Sequence, residues 1–158
     1  MEWVTLAVLC WAGFYDLKYK KVPNWLTYGL LLAAILFHSF YGAVSMSLFG
    51  AGIGLGWFLI PYLLGGMGAG DVKLLAAAGA MAAWPGALYV VLYSSVAGGI
   101  VVIALTLKRV DFQDFWVALA GGPRRFFKSI WMSGRERRKE KVPYALAIAI
   151  GYAIYLLL

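Results

Sequence analysis

The chain alternates long apolar blocks with short polar interruptions. Six blocks stand out, from about Trp3 to Tyr15, Trp25 to Tyr41, Ala43 to Leu64, Val72 to Trp84, Ala87 to Leu107 and Tyr144 to Leu158. A helix that crosses a bilayer needs about 20 apolar residues, within a range of about 17–25. The first, fourth and sixth blocks fall short of that, which predicts a thin bundle or helices whose polar ends reach into the interface. None of the blocks shows the period-two alternation of a membrane barrel strand. The pattern predicts an all-α, polytopic membrane helical bundle of about six transmembrane helices, forming one domain over residues 1–158.

Composition strengthens that reading. Of the 158 residues, 63% are hydrophobic, against roughly half in an ordinary soluble domain, and the mean hydropathy is +0.81. The net charge of +7 would suggest nucleic-acid binding in a soluble protein. Here the cations lie between apolar blocks, so they report orientation in a membrane, and no nucleic-acid partner is expected. Lys18, Lys20 and Lys21 separate blocks one and two, Lys73 opens block four, and the remaining ten of the 14 Lys and Arg residues lie from Lys108 to Lys141. Six helices put all of them on one side. The positive-inside rule makes that side cytoplasmic and both termini external. A reading with five or seven helices would split the charges. The N-terminus lacks a basic stretch ahead of its first apolar block and lacks Ala-x-Ala cleavage chemistry before Asp16, so a retained first helix is expected rather than a signal peptide.

The connection over about 108–142 is long for so small a bundle. Phe112, Phe115, Trp116 and Leu119 follow the i, i+3, i+4, i+7 spacing of an amphipathic helix. Phe126, Phe127, Ile130 and Trp131 then alternate with Arg124, Arg125 and Lys128. This predicts a cytoplasmic amphipathic loop lying on an anionic lipid leaflet. Cys10 is the chain's one cysteine; it is expected to be a small buried apolar residue and offers neither a disulfide nor a zinc site. Gly50, Gly52, Gly54 and Gly56, with Gly98 and Gly99, are assigned to close helix packing.

Chemistry is concentrated in two of the seven acidic residues. Glu2 is external, and Asp111, Asp114, Glu136 and Glu140 fall in the polar loop. Asp16 and Asp71 each lie at the cytoplasmic end of an apolar block, where an ionisable group is costly and marks function by default. The alternative for each is a carboxylate that simply ends its helix at the headgroups. Asp16 precedes Lys18, Lys20, Lys21 and Val22-Pro23-Asn24. Pro23 suits the first turn of the second helix, and Asn24 can bond backbone groups freed there. Asp71 follows Gly65-Gly66-Met67-Gly68-Ala69-Gly70, a density of glycine that breaks a helix and lets another backbone approach. The glycine run lacks the Gly-Lys-Ser/Thr of a phosphate-binding loop. Two carboxylates brought close share a proton and titrate as a unit. The ionised member then activates a water and the protonated member donates to a carbonyl oxygen. Such chemistry calls for no metal and no other cofactor.

Gly68-Ala69-Gly70-Asp71 resembles the Gly-x-Gly-Asp motif of membrane-embedded aspartic proteases. Together with Val72-Lys73-Leu74-Leu75-Ala76, and with Asp16 before Val22-Pro23-Asn24, it is similar to the type IV prepilin peptidase family. Val142-Pro143-Tyr144 resembles that family's late Pro-Tyr-Gly motif, with Ala145 in place of the glycine. The resemblance covers essentially the whole chain. It implies an aspartic endopeptidase that removes the leader from type IV prepilin-like, membrane-inserted precursors at the cytoplasmic face of the inner membrane. It implies Asp16 and Asp71 as the catalytic pair and Gly68, Gly70, Lys73, Pro23, Asn24 and Pro143 as residues that shape the approach of substrate. Because the first block begins at once, a minimal peptidase-only form is expected, as in Flp-type pilin or preflagellin systems, and methylation is not assigned. Lys73 either tunes the Asp71 carboxylate or anchors its helix at the interface, and the anchor is favoured. His38 is expected near the external end of the second helix, away from both aspartates. Two other classes remain open, a small transporter using the aspartates as a proton or cation site, and a noncatalytic component of a secretion or pilus assembly machine.

Overall fold

In the computed structural model, which is described over residues 2–19, 21–63, 67–107 and 144–158, the elements are all helical. They are α1 (Glu2–Tyr19), α2 (Asn24–Phe40), α3 (Val44–Leu63), α4 (Ala69–Leu107) and α5 (Tyr144–Leu157). The expected amphipathic loop, the glycines at 65 and 66, and Pro143 lie outside the described residues. α3 and α4 are long and apolar enough to cross a membrane, and α2 and α5 are shorter apolar helices.

The fourth and fifth apolar blocks are two arms of α4. Helical geometry fails at Ala83 (φ 52°, ψ 179°) and Trp84 (φ −78°, ψ 136°). Pro85 is the local cause. Its ring lacks an amide donor, crowds the carbonyl four residues earlier, and drives the preceding residue to extended backbone. Beside this kink, at the start of α3, the turn from α2 is a Schellman closure. The Ala43 amide donates to the His38 carbonyl at 2.9 Å and the Gly42 amide to that of Ser39 at 3.2 Å. Gly42 adopts φ +66°, the left-handed geometry glycine takes without a Cβ penalty.

The first arm of α4 is the central post of the bundle. Leu74 through Met81 are buried without interruption, the signature of a helix contacted on every side. This is why the arm is short and rich in alanine, since it faces protein rather than lipid. α3 lies so close to it that a Cβ at Gly50 would overlap the Gly79 carbonyl, and one at Gly54 would sit 2.6 Å from the Leu75 carbonyl oxygen. Ser47 Oγ donates to the Ala80 carbonyl at 2.9 Å within the same seam. α5 packs along the other side of α4, with Gly151 set directly against Ser94. α1 packs chiefly on α5, where Gly13 faces Ala145 and Leu146. Gly52, Gly56 and Gly99, by contrast, have open space where a Cβ would stand. They turn away from the helix seams, so only part of the glycine set assigned to packing does that work. Cys10 is also corrected, because it is exposed.

The outer surface is apolar. Phe14, Trp25, Phe40, Phe49, Ile60, Leu63, Val96 and Ile100 are all well over half exposed. An apolar surface this extensive, around a core made largely of alanine and glycine, suits lipid and not water as the surrounding solvent. Gly79→Leu is expected to cost about 3 kcal/mol or more, because overpacking here meets α3 backbone and not a flexible side chain. Gly52→Leu should be close to neutral. Thermal unfolding in detergent micelles checks both.

Candidate active site

α1 runs past Asp16 to Tyr19, further than the apolar block suggested. The aromatic ladder Trp11–Tyr15–Tyr19 lies along this last stretch, with centroid separations of 5.5 and 4.4 Å at helical i, i+4 spacing. Asp16 therefore sits within the helix and not at its end. It lies one turn beyond Gly13, on the face that packs against the start of α5. The side chain is only 5% exposed.

Asp71 lies in the first turn of α4, which begins at Ala69 and not at Val72. The Gly68 carbonyl accepts from the amides of Asp71 and Val72 at 3.2 and 3.4 Å, so Gly68 stands at the capping position. A carboxylate in the first turn of a helix is favoured by the unpaired amides and the helix dipole. Asp71 is 6% exposed. Removing two ionisable groups this far from water is expensive and persists only where the surroundings compensate.

The two glycines of the motif have separate tasks. A Cβ at Gly68 would stand 3.0 Å from Asp71 Oδ2, so the bare backbone leaves room for the carboxylate. A Cβ at Gly70 would stand 3.1 Å from Val22 Cβ. Its absence lets the α1–α2 connection rest on the start of α4. That contact brings the two sequence motifs to one end of the bundle.

Pro23 is the residue just before α2, with φ −68° and ψ 134°, and makes no side-chain cap. Its carbonyl accepts from the Leu26 and Thr27 amides at 3.2 and 3.4 Å. Asn24 does not cap the helix with its side chain. Its Oδ1 instead accepts from Lys73 Nζ at 3.4 Å, while its carbonyl accepts from Thr27 Oγ1 at 2.9 Å. Lys73 also lies over the Tyr28 ring, 5.0 Å from the centroid. The ammonium thus ties α4 to α2, on the side of the helix turned from Asp71, as their two-residue separation requires. Lys18 and Lys21 belong to the same end of the bundle. His38 belongs to the far end of α2, where Nδ1 donates to the Ala34 carbonyl at 2.9 Å.

A residue outside the expected pair joins the site. Tyr144, the first residue of α5, lies within electrostatic reach of the Asp71 carboxylate. Ala145, beside it, is fully buried. The first turn of α5 thus packs on the α1 face one turn from Asp16, and its Tyr144 is within electrostatic reach of Asp71. The Pro143-Tyr144 pair was the signal for this in the sequence. Tyr144 also forms the inner end of a cavity of about 640 Å³ between α3, the second arm of α4 and α5.

Comparison with known proteins places the chain in a family. A model of the type IV leader peptidase family matches residues 3–103. A protein from Aeromonas hydrophila named prepilin leader peptidase/N-methyltransferase is 37% identical over 123 residues, covering 72% of this chain and 41% of its own length. A protein of the same name from Xanthomonas campestris pv. campestris is 36% identical over 94 residues, covering 54% of this chain and 33% of its own. The chain thus spans well under half the length of these curated relatives. No solved structure matches it. The buried aspartates, the glycine turn beside the second of them and the matched family model together lead to one statement: this chain belongs to the type IV leader peptidase family.

Proposed function

We propose that the chain is a membrane aspartic endopeptidase that removes the leader peptide of type IV prepilin-like precursors, of the Flp-type or preflagellin-like kind. The observation that carries the reading is the burial of both Asp16 and Asp71 at the end of the bundle where the α1–α2 connection rests on the start of α4. One carboxylate, ionised, takes a proton from water as its oxygen attacks the scissile carbonyl. The other, protonated, donates to the carbonyl oxygen as the tetrahedral intermediate forms. Collapse breaks the C–N bond, with the proton held by the first carboxylate passing to the leaving amine. The second carboxylate recovers its proton as the carbonyl reforms. Gly68 leaves room for the Asp71 carboxylate, Gly70 lets the α1–α2 connection rest beside it, and Lys73 with Asn24 holds the α4 entry in register with α2.

We further propose that six membrane crossings are formed by α1, α2, α3, the two arms of α4 and α5. The cationic end then faces the cytoplasm of the inner membrane and both termini lie outside. The grouping of Lys18, Lys21 and Lys73 at the end that carries both aspartates supports this orientation. The transporter reading gains no support from the polar residues of the spans. Ser47 and Ser95 donate to backbone carbonyls of the bundle instead of lining a polar path.

Co-expression with a type IV prepilin precursor tests the peptidase directly. Asp16→Asn and Asp71→Asn should each lower leader removal about a hundred- to ten-thousand-fold at matched protein levels. Processing at the wild-type rate in either variant contradicts the pair. For topology, alkaline phosphatase fused after residue 42 should be active and a fusion after residue 21 inactive, and the reverse outcome contradicts the orientation.

A further inference from the structure

The cavity between α3, the second arm of α4 and α5 has a lining that restricts what it can hold. Its polar side chains pair among themselves. Trp57 Nε1 donates to Ser95 Oγ at 2.9 Å, and Ser95 Oγ donates to the Val91 carbonyl at 2.7 Å. Apart from the Tyr144 phenol at its inner end, the lining offers a ligand apolar surface and bare glycine backbone. A polar or ionic occupant would lose its hydration with little return. The lining includes Gly56, Gly98 and Gly99, and no atom stands within 4 Å of the Cβ position of Gly56 or Gly99. Backbone exposed in this way lets a second helix come close, the usual means of helix association in lipid. Ile60 and Ile103 on the rim are 66% and 60% exposed, so the opening faces the apolar surroundings of the bundle.

The inner end fixes the relation to the candidate site. Met67 and Tyr144 both belong to its lining. Met67 adjoins Gly68, whose Cα is set against the Asp71 carboxylate, and Tyr144 is within electrostatic reach of the same group. The lining of the groove therefore reaches residues that neighbour the buried aspartate in the chain and in space. We infer that it is the docking site for the apolar helical segment of the membrane-inserted precursor, which it receives side-on so that the bond at the segment's polar end meets Asp71. This inference rests on the leader-peptidase reading above. A glycine floor accommodates the backbone of a helix, whereas a lipid chain would pack equally well on the bulky surfaces elsewhere on the bundle.

Filling the groove separates this inference from the reading it rests on. Gly99→Phe and Gly56→Phe add a ring where the fold leaves space, and Gly52→Phe, on α3 but outside the groove, is the control. Processing of a type IV prepilin precursor with its own apolar segment is measured in proteoliposomes. The groove variants should raise KM about tenfold, equivalent to about 1.4 kcal/mol, at unchanged kcat and unchanged thermal stability. Gly52→Phe should match wild type. In an Asp71→Asn background, a photo-crosslinking residue at Ile103 should capture the precursor's apolar segment, and one at Leu32 on α2 should not. Wild-type KM in both groove variants, together with capture of lipid alone or of a second copy of this chain at Ile103, overturns the docking site and leaves the peptidase intact. Absence of processing by the wild type overturns the peptidase reading, and the docking site with it.

Discussion

The close approach of α3 to the first arm of α4, and of α5 to its second arm, is the constraint on which the rest of the structure depends. In a bilayer there is no hydrophobic drive between helices, so association rests on packing and on a few internal hydrogen bonds. Gly50 against Gly79, Gly54 against Leu75 and Gly151 against Ser94 bring backbone to backbone, and Ser47 bonds the Ala80 carbonyl across one of these seams. The result is a post enclosed from Leu74 to Met81, with large side chains displaced to the outside. Only an enclosed helix start can hold a carboxylate at the membrane edge while shielding it from both water and lipid. Asp71, in the first turn of that post, meets this condition, and Asp16 meets it through the seam of α1 with α5.

The start of α5 links chemistry to substrate in the proposed mechanism. Its first turn packs on α1 near Asp16, and its first side chain, Tyr144, lies within electrostatic reach of Asp71 and lines the groove that opens toward lipid. A bond delivered there would leave the apolar groove and enter the carboxylate site within a few residues of chain. The Lys73–Asn24–Tyr28 tie and the Gly70–Val22 contact keep the α1–α2 connection against the same corner. The motif residues that do no chemistry thus have mechanical reasons to be the types they are.

Much of this was legible in the sequence, because the membrane imposes simple rules. Long apolar blocks predict the helices, and two carboxylates near block ends mark the candidate site. The helical period also held more than was first drawn from it. Gly50 and Gly54 are four apart and share the seam face, while Gly52 and Gly56 lie on the opposite face and meet nothing. Pooling all four as packing residues ignored that rotation. Two features had no local signal. Lys73 finds Asn24 and Tyr28 only because α2 lies beside α4. Pro143-Tyr144 marked the late segment, but that Tyr144 comes within electrostatic reach of Asp71 follows from packing that no short window of sequence encodes. Asn24 followed the same rule, since the expected cap was a local bond and the observed partner is distant.

The central claim is that Asp16 and Asp71 form a pair at one end of the bundle. The most direct measurement replaces both with cysteine in a Cys10→Ala background and treats membranes with a short bifunctional thiol reagent. Bridging within one chain is expected, as efficient as that of a control pair at Asn24 and Lys73, whose side chains are in contact. Bridging of the control pair with none between positions 16 and 71 would contradict it.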